Sequence, residues 1–205
     1  MPTLDQSRSH ARVPAFEIVA IAASAGGLNA LTAVLGRLPA DFDAIIVVVQ
    51  HLDPRHRSLM PEIIGRRAVL PVYQAADKME LNPGSIYLAP PDKHLLVNRG
   101  GTASLTQTEL VNFVRPSADL LFESVAAAYG DRAIAVVLSG TGHDGSIGVT
   151  AIKKKGGTVI VQDEASSEFF GMPSAAYRTG SADFVLALDE IASALQHLIS
   201  PEAAD

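Results

Sequence analysis

The stretch "EIVAIAASAGGLNAL", residues 17–31, decides how the chain is read. Residues 17–22, apolar after Glu17, read as a strand buried on both faces. Ser24 follows, then Gly26 and Gly27, and then Leu28, Leu31, Leu35 and Leu38 recur at helical spacing until Pro39. A strand, a tight glycine turn and a helix make the opening unit of an α/β fold. A serine at such a bend has three readings: a helix cap, a phosphate holder or a nucleophile. The phosphate reading lacks its sequence fingerprint, because "ASAGGL" fits neither G-x-G-x-x-G nor G-x-x-x-x-G-K-[ST]. The stretch is not the G-x-S-x-G elbow either.

The same alternation continues outward. Residues 44–50 are a second buried strand rich in β-branched side chains, and 58–67 a helix with Pro61 in its first turns. The middle is different. "LPVYQA", "SIYLAP", "HLLVN" and "TASLTQ" are short and separated by Pro, Gly and Asn, which predicts smaller, partly antiparallel strands in a meander. Helix returns at 117–129 after Pro116, and 133–139 is a third buried strand. A helix over 147–155 closes on Gly156 and Gly157; strands at 158–162 and 184–188 and a helix at 190–198 complete the pattern. This predicts an α/β fold: a single doubly wound, mostly parallel sheet with helices on both faces and a small antiparallel meander in the middle. Residues 1–15 read as a disordered leader and 16–200 as one domain.

Composition removes several classes of function. The chain of 205 residues is 48% hydrophobic and 19% charged, the balance of a folded globular protein. Its net charge of −6, with no basic aromatic stripe, argues against nucleic acid as a partner. The absence of cysteine excludes disulfides, thiolate metal sites and cysteine nucleophiles. The polar N-terminus has no signal-peptide core, and the longest apolar run, "AIIVVV" at 44–49, is far too short to cross a bilayer. A cytoplasmic protein without membrane insertion is expected.

In open α/β sheets, sites form beyond the carboxyl ends of the strands. "ASAGG" with Ser24 follows the first buried strand, "QHLDP" with His51 the second, and "SGTGHDG" with His143 and Asp144 the third. A serine, a histidine and an aspartate on one sheet edge are the set needed for a nucleophile, its base and an orienting carboxylate. Amides of Ala25, Gly26, Thr141 and Gly142 could face an oxyanion or line the pocket. The bland readings stand beside this one: a serine N-cap, a solvated histidine, an Asp-Gly turn. No third ligand at fixed spacing supports a metal site, and no cofactor is expected.

Taken together, "AIAASAGGLNAL", "VVVQHLDP", "RPSADLLFESVA", "VLSGTGHDG" and "QDEASSEFFGMPSAA" resemble the catalytic domain of chemotaxis protein-glutamate methylesterases, the CheB type. The likeness runs from about residue 17 to about residue 198. It implies hydrolysis of glutamate γ-methyl esters on the cytoplasmic helices of methylated chemoreceptors, giving glutamate and methanol, with deamidation of receptor glutamines in many members. It places the family triad on Ser24, His51 and Asp144, with Ser139, Ser166 and Ser167 in support and His143 a bystander. Thr141 stands where the family often has methionine. The short leader implies a stand-alone form without a receiver domain; "HLDPRHRSLMPEI" resembles versions that stand alone or are fused to a methyltransferase, and a receptor methyltransferase or response regulator is a further candidate partner. Arg55, Arg57, Arg66 and Arg67 form a basic cluster suited to glutamate-rich helices, while Phe169, Phe170, Met172 and Pro173 are candidates for an apolar wall against the methyl group. Arg55, Arg57 and Met172 are the expected substrate contacts. Two other classes remain open: a binding module without turnover, and an esterase for a different substrate.

Overall fold

The structure, a computed structural model, describes residues 16–51 and 58–200. Residues 1–15, expected as a leader, lie outside the described residues, and so do Arg55 and Arg57.

Among the described residues there are nine strands and six α-helices, alternating except for four consecutive strands in the middle. Strands β1 (Ile18–Ala23), β2 (Ile45–Gln50), β3 (Val72–Gln74), β4 (Ser85–Leu88), β7 (Ala133–Val137), β8 (Thr158–Gln162) and β9 (Phe184–Leu186) form one sheet in the order β3-β4-β2-β1-β7-β8-β9. Every pairing in it is parallel. The remaining strands, β5 (His94–Asn98) and β6 (Thr102–Thr106), make a separate antiparallel hairpin. Only half of the expected meander is therefore antiparallel. "LPVYQA" and "SIYLAP" belong to the main sheet, and their shortness reflects position: β3 is a partly exposed edge strand of three residues.

The sheet is buried on both sides, and the alternation of its side chains shows why. Ala20, Ala22, Val47, Val49, Ala135 and Val137 face α3 (Ala118–Tyr129), α4 (Ser146–Lys154) and the hairpin. Val19, Ile21, Ile46, Val48, Ile134 and Val136 face α1 (Gly27–Leu35), α2 (Met60–Gly65) and α6 (Leu188–Ile199). The small alanines let α3 approach the sheet closely on one side, and the larger isoleucines fill the other. Helix α1 stops at Leu35, because Gly36 supplies its C-cap; Leu38 is still buried, but from the turn beyond. Helix α5 (Gly171–Arg178), short and with Pro173 in its first turn, was not foreseen from the sequence.

Chain order explains where the site must be. β1 is central, β2 leaves on one side of it, and β7 returns much later on the other. The crevice between the β1 and β7 loops is the point where winding reverses, and such crevices open at the carboxyl ends of the strands.

Candidate active site

The register of β1 with β2 pairs Ala23 with Gln50, so the next residues, Ser24 and His51, leave the sheet side by side. On the other side, Ser24 N donates to Ser139 O at 2.9 Å, carrying the β1–β7 ladder one step beyond the strands. Ser24 is not the cap of α1. That position belongs to Gly26, with φ of 73° and no side-chain cap bond. A side chain at Gly26 would also run into Ser139 Oγ and Glu168, so glycine is required there twice over.

Two buried glutamines fasten these loops. Gln50 Nε2 donates to Ser24 O at 2.8 Å and to His51 O at 3.0 Å, binding the serine turn to the histidine loop. Gln162, at the end of β8, accepts Ser139 N through Oε1 at 2.8 Å and donates to Ser166 O at 2.8 Å. Ser139, 1% exposed, donates from Oγ to Ala25 O at 2.8 Å and accepts Phe169 N at 3.0 Å. The serine turn is therefore held from below by neighbours on both sides. The sequence held one signal of this: Gln50 and Gln162 each end an otherwise apolar strand, and a buried amide needs partners.

The acid end is built differently. His51 Nε2 and Asp144 Oδ2 are 2.8 Å apart. The same carboxylate sits on the N-terminus of α3: Ala118 N donates to Oδ2 at 2.6 Å, while Ser117 Oγ and Asp119 N donate to Oδ1 at 2.9 and 3.2 Å. Ser117 caps α3 and is itself fixed by His94, whose Nδ1 accepts Ser117 N at 3.1 Å and whose Nε2 donates to Glu109 O at 3.0 Å. The hairpin thus serves the site through His94. Burial pushes the Asp144 carboxyl up, but the bonds from His51 and the α3 amides outweigh it and leave the group below its usual range. An ionised carboxylate only accepts, so His51 Nε2 carries the proton and Nδ1 is left as the basic nitrogen.

A second carboxylate, Asp119, lies alongside. It is 3% exposed, and burial raises its pKa, opposed by the bond from Gly148 N at 2.8 Å and reinforced by the nearby Asp144 charge. Sequence reading passed over Asp119 and His94, since neither belongs to a loop following a central strand.

No hydrogen bond joins Ser24 Oγ to His51 among the described residues. Nucleophile–base bonds commonly close only in the substrate complex. The amides of Ala25, Gly26, Thr141 and Gly142 donate to none of the described residues and remain available to a ligand. Thr141, Gly142 and His143 are exposed beside them. Met172 is 1% exposed and packs beneath Gly140, where an added Cβ would meet its Sδ; it supports the loop rather than forming an outer wall. Phe169 is exposed on the rim. Arg66 and Arg67 line, with Arg37, a cavity of about 680 Å³ between α1 and α2. Among the described residues no group of acidic or histidine side chains is placed to hold a metal ion, and no helix is long and apolar enough to cross a membrane.

Comparison with known proteins gives the chain a family. Residues 19–195 match the family model described as CheB methylesterase. The chain belongs to the CheB methylesterase family. A Leptospira interrogans protein is 40% identical over 177 residues, covering 86% of this chain and 92% of that one. A Moorella thermoacetica protein-glutamate methylesterase/protein-glutamine glutaminase is 42% identical over 92% of this chain but 46% of its own length. A like-named Anaeromyxobacter dehalogenans protein is 44% identical over 89% of this chain and 54% of its own length. The chain thus spans about half of these longer relatives. Among solved structures, the Thermotoga maritima CheB methylesterase catalytic domain superposes with a TM-score of 0.86 at 36% identity, covering 90% of this chain and 99% of that one. The expected CheB-type resemblance and α/β architecture hold, and the family is one of hydrolases.

Proposed function

We propose that the protein hydrolyses glutamate γ-methyl esters on the cytoplasmic helices of chemoreceptors, with Ser24 as nucleophile, His51 as base and Asp144 as the orienting acid. The observation that carries this reading is the His51–Asp144 bond at 2.8 Å, set beside a serine turn whose carbonyl is tied to the same histidine loop by Gln50. His51 Nδ1 takes the Ser24 proton as Oγ attacks the ester carbonyl. The tetrahedral oxyanion is met by loop amides, with those of Ala25, Gly26, Thr141 and Gly142 the candidates. Collapse expels methoxide, which leaves as methanol with the proton from His51. Water, deprotonated by the same nitrogen, then hydrolyses the acyl-enzyme and restores the glutamate carboxylate. Throughout, Asp144 stabilises the imidazolium, and its own charge is stabilised by the positive end of α3.

The same chemistry with ammonia as leaving group would deamidate receptor glutamines. Receptor signalling helices place the reaction in the cytoplasm, and each turnover adds a negative charge to a helix bundle. Arg66 and Arg67, with Arg55 and Arg57, would attract glutamate-rich helices; a receptor methyltransferase or a response regulator is a further proposed partner. The test is methanol release from a methylated receptor fragment. It should be robust with the wild type and lost in Ser24→Ala, which should melt as the wild type does. Undiminished release by Ser24→Ala would overturn the nucleophile assignment.

A further inference from the structure

The segment before α3 carries a conflict that the triad does not explain. Val111 and Val114 exchange backbone hydrogen bonds of 3.2 and 3.0 Å, enclosing a two-residue turn of Asn112 and Phe113. Both have positive φ, 51° and 65°. A turn of this kind favours Asn-Gly, because its second position is left-handed and strains any residue with a Cβ. Here that position holds phenylalanine, and its side chain does not repay the strain by packing: Phe113 is 93% exposed.

The turn is nevertheless firmly mounted. Asn112 Nδ2 donates to Asp119 Oδ2 at 2.9 Å, Arg115 bridges Asp92 and Thr108 O, and Glu109 O accepts from buried His94. Asp119 N in turn donates to the catalytic carboxylate of Asp144. The displayed ring therefore stands two hydrogen bonds from the proposed triad acid, at the N-terminal end of α3. A second apolar side chain is presented around the same carboxylate. Ile147, in the first turn of α4, is 60% exposed, and the following residue, Gly148, donates its N–H to the other oxygen of Asp119. Two exposed apolar groups are thus fixed to one buried anchor beside the site. Isolated exposed apolar residues are ordinary, but an exposed phenylalanine held in a left-handed turn, with a second exposed apolar residue mounted on the same buried carboxylate, is not.

We infer that Phe113, with Ile147, is an apolar docking anchor for the helix that bears the methylated glutamates. It would take aliphatic side chains presented at helical spacing by that helix. A helix in a shallow site is gripped through such i, i+3 or i+4 anchors, and a preordered aromatic holds its partner with little entropy loss. The inference rests on the receptor methylesterase reading above.

The test compares two substrates, a methylated receptor fragment and a short glutamate γ-methyl ester peptide. Phe113→Gly relieves the left-handed strain, so its melting temperature should match or exceed the wild type. Its selectivity, kcat/KM on the fragment over kcat/KM on the short ester, should fall about tenfold, mainly through KM. Phe113→Tyr should retain most of that selectivity. An unchanged ratio in Phe113→Gly, while Ser24-dependent release from the fragment persists, overturns the anchor alone. Equal losses on both substrates assign the turn to support of Asp144 and overturn it as well. If the wild type cleaves the short ester but never the fragment, the receptor reading fails and the anchor with it.

Discussion

Asp144→Asn provides a sharp test of how the acid end is built. The asparagine amide has two orientations. With its oxygen in place of Oδ2 it still accepts from His51 Nε2 and Ala118 N, which lie 2.8 and 2.6 Å from that atom. Its NH2 then replaces Oδ1, where Ser117 Oγ can turn to accept, and only the long 3.2 Å bond from Asp119 N is lost. The reverse orientation sets an NH2 against Ala118 N–H and against the histidine proton. The first orientation should win, and it preserves the histidine tautomer. What disappears is the charge. Two unit charges 2.8 Å apart attract by about 6 kcal/mol at an effective dielectric constant of about 20. A neutral acceptor keeps roughly half of such a bond. The loss of imidazolium stabilisation is then about 3 kcal/mol, or roughly 10²-fold in rate. The stability cost is about 1–2 kcal/mol, since one amide loses its acceptor while a buried charge is removed. That corresponds to a fall of roughly 2–8 °C in melting temperature. Methanol release and thermal unfolding of the same preparation give both numbers. A loss of about 10⁴-fold, as expected when the wrong tautomer is imposed, would refute the preferred orientation. A loss below about threefold would refute the role of Asp144 itself.

Ser139→Ala should leave Ala25 O and Phe169 N unpaired, costing about 2–4 kcal/mol and slowing turnover by about 10–100-fold as the serine turn shifts; thermal melts and methanol release check both. Replacing Arg55, Arg57, Arg66 and Arg67 by serine should weaken turnover of a receptor fragment more than that of a short ester, and should flatten its salt dependence; equal losses would remove the docking role. Acid unfolding should separate the two carboxylates. Asp144 has a depressed folded pKa, so its contribution is present above 3.8 and is lost as pH falls through the folded value. Asp119 is raised, so its contribution is complete below 3.8 and is lost as pH rises through the folded value. Urea titrations across the acid range should show Asp144→Asn weakening the acid-side fall and Asp119→Asn removing the loss on the neutral side.

The central strands were legible because burial on both faces demands unbroken apolar runs, as in "AIIVVV". Parallel topology then sends every strand's carboxyl end to one edge, which is why the sequence pattern alone puts Ser24, His51 and Asp144 on a common edge. The edge was harder. β3 and β4 are too short to distinguish a crossover from a hairpin, and Gly171 and Pro173 hide a helix of eight residues. The scaffold of the acid was not legible at all. Ser117 reads as an ordinary cap, and only the packing of α3 against the β7 loop brings its free amides to Asp144. Nor does "NF" announce a left-handed turn, because the residue that normally signals one is glycine.

The central position of β1 also bears on how activity is acquired. The serine and histidine arrive early in the chain, but β7 supplies both the carbonyl that holds Ser24 and the loop that carries Asp144. Until this late strand inserts beside β1, the first half of the protein holds the proposed nucleophile and base but not the proposed acid. Pairing across so long a loop is a slow step in assembly. During refolding, hydrolytic activity should therefore lag behind recovery of helical signal, making turnover a reporter of the completed sheet rather than of chain collapse.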